Sequence, residues 1–541
     1  MNRRLWLWTL VALITYSVAG AALFGPFLDN PFLMDDEIQV THNVHVQDIS
    51  NWQSYFTSST MDSGGAAKMG GIYFKPLMTI YFATVWHFFP NEADAFRVPL
   101  LICQILSATL IFIFLVRFFE IPIAFGCGLL FVIHPINSEI VAYIADAQDA
   151  LYMTFGLLAL TTFTLIKRPW LAAILTAVLL MAGLLSKETG ALFLVIVPMA
   201  SFYFDRARFK AALATSFVVG VLYAGLRYNS GLLSYEHKVL LIQQATYLQR
   251  LTTVPLIVWH YIETFFFPLR ISLVTDFVVK ELTLTQFWLP ILGVGVFGVL
   301  LRVLWTKLRS DVEKRVYEFA IGILFLWFAL HGSVLLPLDG TYADRWFYLG
   351  VWAFLILIAL TIKVLFESLG PVGVKRAQIA TAVFAVLYVG SASARTWVRL
   401  VDWETPLKLY TRELEQRPFD ALMANNVGFE YFHRGEIRLA EKYFLQATEN
   451  NPVWDVAWNN VGACAQRLGE IDRAISYYDK SVSLGSYYLA YENFAALTCA
   501  QRIDARCTEF LQKALTTFPL NPSLRRTAEA VAAAKKQKPE L

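Results

Sequence analysis

The chain has 541 residues, of which 57% are apolar and only 16% carry a charged side chain. Soluble domains carry about a quarter charged residues, so this composition excludes an ordinary soluble protein and indicates a polytopic membrane protein. The formal net charge of +3, with no basic stripe interleaved with aromatic residues, argues against nucleic acid as a partner. The cysteines form no CxxC or Cys/His pattern typical of a zinc site.

The first apolar run, residues 5–24, is long enough to cross a bilayer. We interpret it as a retained span rather than a cleaved signal peptide, because no obvious small-residue cleavage site follows it. The next segment is acidic and aromatic, and in it Asp35 and Asp36 are adjacent. A carboxylate pair at a membrane face can take a proton from a hydroxyl group beside a lipid-anchored substrate. Two solvated acids in an ordinary loop are the alternative.

Eleven apolar runs predict eleven membrane helices. They are approximately 5–24, 96–116, 121–133, 150–166, 170–185, 189–204, 211–228, 288–305, 318–336, 346–366 and 378–393. With a cytoplasmic N-terminus, alternation of these spans places every basic cluster on the cytoplasmic side, as the positive-inside bias requires. The segment 251–267 would reverse that order as an extra span, so we interpret it as an interfacial or re-entrant helix on the outer face. A first outer loop, about 25–95, then lies outside the cytoplasm.

The C-terminal part of the chain repeats with a period of 34 residues. Asn425, Asn459 and Asn493 are in register, and glycine, alanine and proline recur at matching positions. This is the tetratricopeptide period, and such repeats stack as helix pairs with a concave groove that commonly holds a peptide or partner. A stabilising cap on the membrane domain is the alternative.

These patterns predict an all-α fold class, a polytopic membrane protein with a C-terminal α-solenoid. The predicted parts are a transmembrane domain 1–395, a tetratricopeptide domain 396–530 with a degenerate unit 403–420 and repeats of about 421–454, 455–488 and 489–521, and a charged tail 531–541. Three cysteines lie in the repeats: Cys464, Cys499 and Cys507. An extracytoplasmic location would permit one disulfide, but we predict that all three are small packing residues.

Five short motifs share the outer face in this topology. They are Asp35-Asp36, Tyr73-Phe74-Lys75-Pro76-Leu77, the His-Pro segment 134–142, Leu185-Ser186-Lys187-Glu188 and the Ala-Asp-Arg-Trp-Phe-Tyr-Leu segment 343–349. In this order, and with the appended repeats, they resemble the bacterial relatives of the transmembrane-and-tetratricopeptide (TMTC-like) protein O-mannosyltransferases, which are GT-C glycosyltransferases. The resemblance covers nearly the whole chain. It implies a polyprenyl-phosphate-sugar donor, an inverting transfer to an acceptor hydroxyl group, and a catalytic acid in the first outer loop.

By this resemblance, Asp35 matches the first acid of the family's acidic pair and Asp36 matches the second. We predict that Asp35 is the base, with its pKa raised by the neighbouring like charge and by partial burial. Asp36 would orient Asp35, hold the acceptor, or hold a cation. Relatives often have an arginine where this chain has Ala147, so another cation must replace that arginine if it binds phosphate.

Three cations are predicted to bind the donor phosphate: Arg345, Lys187 and Lys75. A planar guanidinium suits bidentate phosphate binding. A lysine in an apolar stretch is costly unless it is paired or functional. The alternatives are an interfacial anchor paired with Asp344 for Arg345, an internal ion pair for Lys187, and a snorkelling anchor for Lys75.

Further polar residues near the spans are candidates for binding the sugar or the acceptor. They are His134, Glu139, Asp149, Glu188 and Tyr348. A hydrogen-bonded structural role is the alternative for His134, and capping of the next span is the alternative for Asp149. No cofactor is predicted; a divalent metal ion held by Asp35, Asp36 and Glu139 is the alternative.

The sequence therefore predicts a membrane glycosyltransferase that moves a sugar from a polyprenyl-phosphate carrier to a hydroxyl group of an exported protein. The transfer would take place among membrane lipids on the periplasmic face of a bacterial inner membrane, with the repeats presenting the acceptor. The main alternative is a non-enzymatic, membrane-anchored repeat scaffold for envelope complexes. A transporter of lipid-linked sugars is a weaker alternative, because the spans show no internal repeat.

Overall fold

The computed structural model describes residues 3–62, 73–232, 240–369, 371–519 and 521–537. Part of the predicted first outer loop, 63–72, and the end of the predicted tail, 538–541, lie outside these residues. The chain divides into two compact units, Met1–Thr405 and Pro406–Leu541. The described residues are helical apart from loops and two isolated β-bridges, so the predicted all-α class is confirmed.

The first unit is a bundle built mainly from long apolar helices. Its α-helices are α1 (Arg3–Phe24), α2 (Val44–Gln47), α3 (Pro76–Phe88), α4 (Ala93–Leu115), α5 (Ile121–Ile133), α6 (Glu139–Ala142), α7 (Ala147–Leu165), α8 (Pro169–Ser186), α9 (Phe193–Phe204), α10 (Phe209–Asn229), α11 (Leu241–Gln244), α12 (Tyr247–Phe266), α13 (Leu289–Lys307), α14 (Asp311–His331), α15 (Tyr348–Glu367) and α16 (Pro371–Asp402). Each of the predicted spans contains one of these helices. Within the described ranges, seven helices are long and apolar enough to cross a membrane, or eight if a bent pair counts as one span. The chain is therefore a multi-pass membrane protein.

The bent pair is α5 with the segment Pro135–Ala142, which turn by 50° at their junction. A residue before proline is excluded from the helical region by steric clash, and His134 accordingly adopts φ −65° and ψ 130°. Its Nδ1 accepts a hydrogen bond from the Ile136 N–H at 3.2 Å, which caps the turn that follows. Glu139 and Asp146 lie in the short helical turns between this bend and α7, and Tyr143 lies between those turns.

The predicted first outer loop contains a helix that the sequence reading missed, α3. Pro76 occupies its first turn, where a missing N–H carries no cost. Met78 and Phe82 are buried, and α3 packs against α2 and α8. Because Lys75 is the residue that precedes α3, this packing holds Lys75 close to the end of α8, where Lys187 follows.

The second unit is a stack of paired helices. Its helices are α17 (Pro406–Gln416), α18 (Ala421–His433), α19 (Ile437–Asn450), α20 (Asp455–Arg467), α21 (Ile471–Leu484), α22 (Tyr488–Gln501), α23 (Ala505–Thr517) and α24 (Pro522–Gln537). Gly435 and Gly469, one period apart, each have φ +78° at the turn between paired helices, a conformation that favours glycine. The ring of Phe444 packs directly over Gly428, and one period later the ring of Tyr478 packs over Gly462. This is the predicted tetratricopeptide architecture.

The prediction that the three repeat cysteines are only packing residues is wrong for two of them. Cys499 on α22 and Cys507 on α23 form a disulfide, and their Cα atoms are 5.0 Å apart. The two helices pack against each other, which brings residues on consecutive helices within bonding distance. Cys464 is buried and free, as predicted.

Candidate active site

Asp36 anchors the first outer loop. Its side chain is fully buried, its Oδ1 accepts a hydrogen bond from the Ala145 N–H at 2.7 Å, and its Oδ2 accepts one from the Leu33 N–H at 3.1 Å. Burial raises the pKa of this carboxyl to about 7, although Arg97 and the two backbone N–H groups act in the opposite direction. Both oxygens are engaged by backbone donors, a geometry that suits the first of the predicted roles, the orientation of Asp35.

Asp35 lies on the turn that Asp36 fixes. The preceding residue, Met34, has φ +57°, a left-handed conformation that is uncommon for a side chain of this size. The Asp35 backbone N–H donates to the Tyr143 hydroxyl at 3.3 Å. Its carboxylate is partly exposed and has no hydrogen bond or ion pair among the described residues. This carboxylate is thus held from its backbone side and remains able to accept a proton.

The sequence reading missed Arg97, on the first turns of α4. Its side chain is buried and donates to four backbone carbonyls. They are those of Ala142 (2.9 Å), Leu28 (3.0 Å), Pro31 (2.8 Å) and Asn30. Arg97 thereby ties the start of the outer loop to α6. A charged residue at the start of an apolar span is costly unless it is paired or functional. The position of Arg97 in the sequence was therefore a signal that could have identified it as a candidate.

Arg345 joins two buried carboxylates. Its guanidinium lies 2.7 Å from Glu139 and 3.3 Å from Asp146, and both carboxylates are almost completely inaccessible to solvent. The partner proposed in the alternative sequence reading, Asp344, instead binds the His260 ring at 2.7 Å. Arg345 therefore carries two counter-charges already, and a donor phosphate would have to share it with them.

Lys187 has a counter-charge of its own. Its ammonium donates to both oxygens of Asp149, at 2.7 and 2.6 Å, and the Asp149 side chain is only 1% exposed. This is the internal ion pair of the alternative reading for Lys187. The adjacent Glu188 instead lies 4.0 Å from Arg227 near the end of α10, a cation that the sequence reading did not single out.

Lys75 differs from the other two cations. The residue is 8% exposed, and its ammonium lies 4.6 Å from the centre of the Tyr73 ring. Within the described parts of the chain, no carboxylate lies within ion-pair distance of it. Burial lowers the pKa of Lys75, and the charges of Glu188, Asp149 and Asp35 partly oppose that effect. The charges of Lys75 and Asp35 are therefore close enough to interact with each other.

Two other candidates lie in the packed interior. The His134 ring stacks on Phe265 with centroids 5.0 Å apart, and its Nε2 lies 2.9 Å from the Phe265 carbonyl oxygen. The Tyr348 hydroxyl donates to the amide oxygen of Gln104. Both side chains are completely buried in these contacts. For His134, the geometry matches the structural alternative.

The remaining residues form one group, which we call the charged cluster. It consists of Asp35, Lys75, Glu139, Asp146, Asp149, Lys187, Glu188 and Arg345. Among the described residues, Asp35 and Lys75 are the two members whose side chains have neither a hydrogen bond nor an ion pair. No three or more His, Cys, Asp or Glu residues in the described ranges are arranged to hold a metal ion. This group therefore contains a carboxylate that can accept a proton, Asp35, and a cation that can bind an anion, Lys75.

Comparison with known proteins agrees with the sequence motifs. Protein O-mannosyl-transferase F38B6.6 of Caenorhabditis elegans is 22% identical over 441 residues, which are 79% of this chain and 61% of that protein. Protein O-mannosyl-transferase TMTC3 of Homo sapiens is 23% identical over 416 residues, 68% of this chain and 44% of that protein. This chain is similar to the TMTC-like O-mannosyltransferases. It spans between 44% and 61% of the length of these two relatives. A search of family models found none that matches.

Two solved structures also match part of the chain. ArnT of Cupriavidus metallidurans, solved with bound undecaprenyl phosphate, has 13% identity and a TM-score of 0.38, with 88% of this chain and 80% of that chain covered. The Archaeoglobus fulgidus oligosaccharyltransferase, tethered to an acceptor peptide, has 12% identity and a TM-score of 0.36, with 72% and 55% covered. TM-scores of this size do not define a common fold.

Proposed function

We propose that this protein is an integral-membrane glycosyltransferase that uses a polyprenyl-phosphate-linked sugar and modifies hydroxyl groups of exported proteins. The observation that carries the proposal is the pair of uncommitted charges in the charged cluster, Asp35 and Lys75. The other members of the cluster are engaged in ion pairs with one another or with Arg227. A membrane-anchored scaffold has no need of a buried ammonium without a counter-charge, because such a group is costly to the fold.

The proposed reaction is a single inverting displacement. Asp35 takes the proton of a serine, threonine or tyrosine hydroxyl group as the oxygen attacks the anomeric carbon of the sugar. The bond between that carbon and the phosphate oxygen breaks, and the lipid phosphate leaves with the bonding electrons. Lys75 stabilises the charge that develops on the phosphate. Lys187 and Arg345 are already paired with buried carboxylates and would donate to the phosphate only by sharing those partners. No metal ion is needed for this balance of charge.

The relatives support the reaction class, since both are named protein O-mannosyl-transferases. The lipid-phosphate donor is part of the proposal and rests on the resemblance of the sequence motifs to the family. The Cys499–Cys507 disulfide supports an extracytoplasmic repeat unit, because stable disulfides form in oxidising compartments. We propose that the transfer takes place on the periplasmic face of a bacterial inner membrane, with the repeats holding the acceptor protein.

Mass spectrometry of exported proteins tests the proposal for a sugar of any identity. Deletion of the gene should abolish one sugar-sized mass increment on serine-, threonine- or tyrosine-containing peptides, and the wild-type gene should restore it. Asp35→Asn should not restore it, because the amide cannot take the proton. Glu37→Gln is the matched control, an exposed acid two residues away, and should restore the modification. Full restoration by Asp35→Asn in a membrane-inserted protein would refute the assigned base and favour the scaffold alternative.

A further inference from the structure

Tyr143 contacts two members of the charged cluster, Asp35 and Arg345. Its hydroxyl accepts the hydrogen bond from the Asp35 backbone N–H, and the Arg345 guanidinium lies 5.8 Å from the centre of its ring. The residue is 2% exposed. Burial and the charges of Asp35 and Asp36 raise the pKa of the phenol well above its ordinary value, so the hydroxyl stays protonated. Tyr143 therefore supports the backbone of Asp35 with its hydroxyl group and the guanidinium of Arg345 with its ring.

Trp403 holds the Tyr143 ring in place. The two ring centroids are 5.5 Å apart with an interplanar angle of 35°, and Trp403 is 1% exposed. Its indole Nε1 has no hydrogen-bond partner within the described residues, so ring contacts hold this side chain, among them the Arg399 guanidinium 6.0 Å from the ring centre. Trp403 directly follows α16 and lies two residues before the end of the membrane unit at Thr405. The exit of the chain from this unit is thus packed against the support of Asp35.

We propose that Tyr143 is a positioning residue for the transfer step and that Trp403 sets the position of its ring. The inference rests on the proposed function, because it assigns a consequence for catalysis to a contact in the membrane unit. A ring that moved would displace the Asp35 backbone and the Arg345 guanidinium together. A displacement of about 1 Å at a reacting group can lower a rate by about 10²-fold.

Tyr143→Phe tests the first contact, since it keeps the ring and removes the hydroxyl that accepts the Asp35 N–H. With undecaprenyl-phosphate mannose and a serine- and threonine-containing peptide, kcat should fall about fivefold to tenfold, the effect of one lost hydrogen bond. The KM for the peptide should not change, because the loss concerns the reacting geometry and not the binding of the acceptor. Tyr16→Phe is the matched control: its buried hydroxyl donates to the Phe125 carbonyl at 2.8 Å, and kcat should be unchanged.

Trp403 variants test the second contact. Trp403→Ala should lower kcat at least as far as Tyr143→Phe, and Trp403→Phe should restore most of the activity because a ring again supports Tyr143. The matched control is Trp352→Ala, which truncates another fully buried tryptophan whose Nε1 has no partner in the described chain. Equal losses of kcat in Trp352→Ala and Trp403→Ala would overturn the assignment, because they would indicate general destabilisation.

Hydrogen exchange separates this inference from the proposed function. Amides of the segment 28–47 should exchange faster in Tyr143→Phe and Trp403→Ala than in the wild type, and should not do so in the Tyr16 and Trp352 controls. Unchanged exchange in both variants overturns the inference, and so does faster exchange with full turnover. Absence of wild-type turnover counts against the proposed function with this donor, and the exchange result then decides whether Tyr143 and Trp403 hold the loop.

Discussion

Replacement of Lys75 by methionine distinguishes a phosphate-binding lysine from a structural one. The ammonium of Lys75 is largely buried and has no ion-pair partner among the described residues, and burial lowers its pKa. Methionine keeps most of the length of the side chain and removes the charge, so the folded protein no longer contains the buried ammonium of Lys75. We therefore expect the thermal stability of Lys75→Met to equal or exceed that of the wild type.

The affinity for the lipid phosphate should change in the opposite direction. A hydrogen bond to a charged group contributes about 1.5–3 kcal/mol. Loss of the contact between Lys75 and the phosphate should therefore raise the Kd for undecaprenyl phosphate by roughly 10- to 150-fold.

Lys187→Met is the matched comparison, because it makes the same change in another lysine of the charged cluster. The Lys187 ammonium is held by both oxygens of Asp149, and the Asp149 side chain is 1% exposed. Removal of one partner of a buried ion pair leaves the other charge uncompensated, at a cost of about 3–5 kcal/mol. Lys187→Met should therefore be clearly destabilised, and addition of Asp149→Asn should recover part of the loss.

Two measurements on the purified full-length protein in lipid nanodiscs provide the comparison. Thermal unfolding gives the stability of each variant, and native mass spectrometry with increasing undecaprenyl phosphate gives the Kd. Lys75→Met should lose affinity without losing stability, and Lys187→Met should lose stability first. Wild-type affinity in Lys75→Met, or equal destabilisation of both variants, would refute the distinction between the two lysines.

Three further outcomes follow from Asp36, Arg97 and the disulfide. The folded-state pKa of Asp36 is about 7, above its ordinary 3.8, so its contribution to stability is fully present below about pH 4 and is lost as the pH rises through 7. The stability of the wild type relative to Asp36→Asn should fall over this range by at most about 4 kcal/mol, and a difference independent of pH would contradict the assignment. Arg97→Leu should destabilise the protein by about 3–5 kcal/mol, with fast amide exchange at 28–31, because backbone carbonyls lose a charged donor; slow exchange there would exclude this role. Reduction of the Cys499–Cys507 bond, with a sequence separation of 8, should lower the stability of the repeats by about 2–3 kcal/mol, and Cys499→Ser with Cys507→Ser should be insensitive to reductant.

Local patterns in the sequence determined the helices and the repeats. Each predicted apolar span became a helix, because length and composition decide whether a segment can satisfy its backbone inside a membrane. The period of 34 predicted the repeat unit, since glycines such as Gly435 and Gly469 have the same backbone conformation in each copy. The order of short polar motifs predicted which parts of the chain supply charges to the site. The helix α3 was missed, although it has 13 residues, as many as α5, which was predicted.

Only the tertiary structure decided which charges are paired and which are uncommitted. Arg345 and Glu139 are 206 positions apart in the chain, and Asp36 and Ala145 are 109 apart, so no local pattern could predict either contact. The same holds for the packing of Trp403 on Tyr143. Hydrophobic periodicity specifies which face of a helix is buried, but the partner of a buried charge depends on how helices distant in sequence pack together. Asp35 and Asp36 are neighbours in the sequence, and the fold buries one as an anchor and leaves the other accessible.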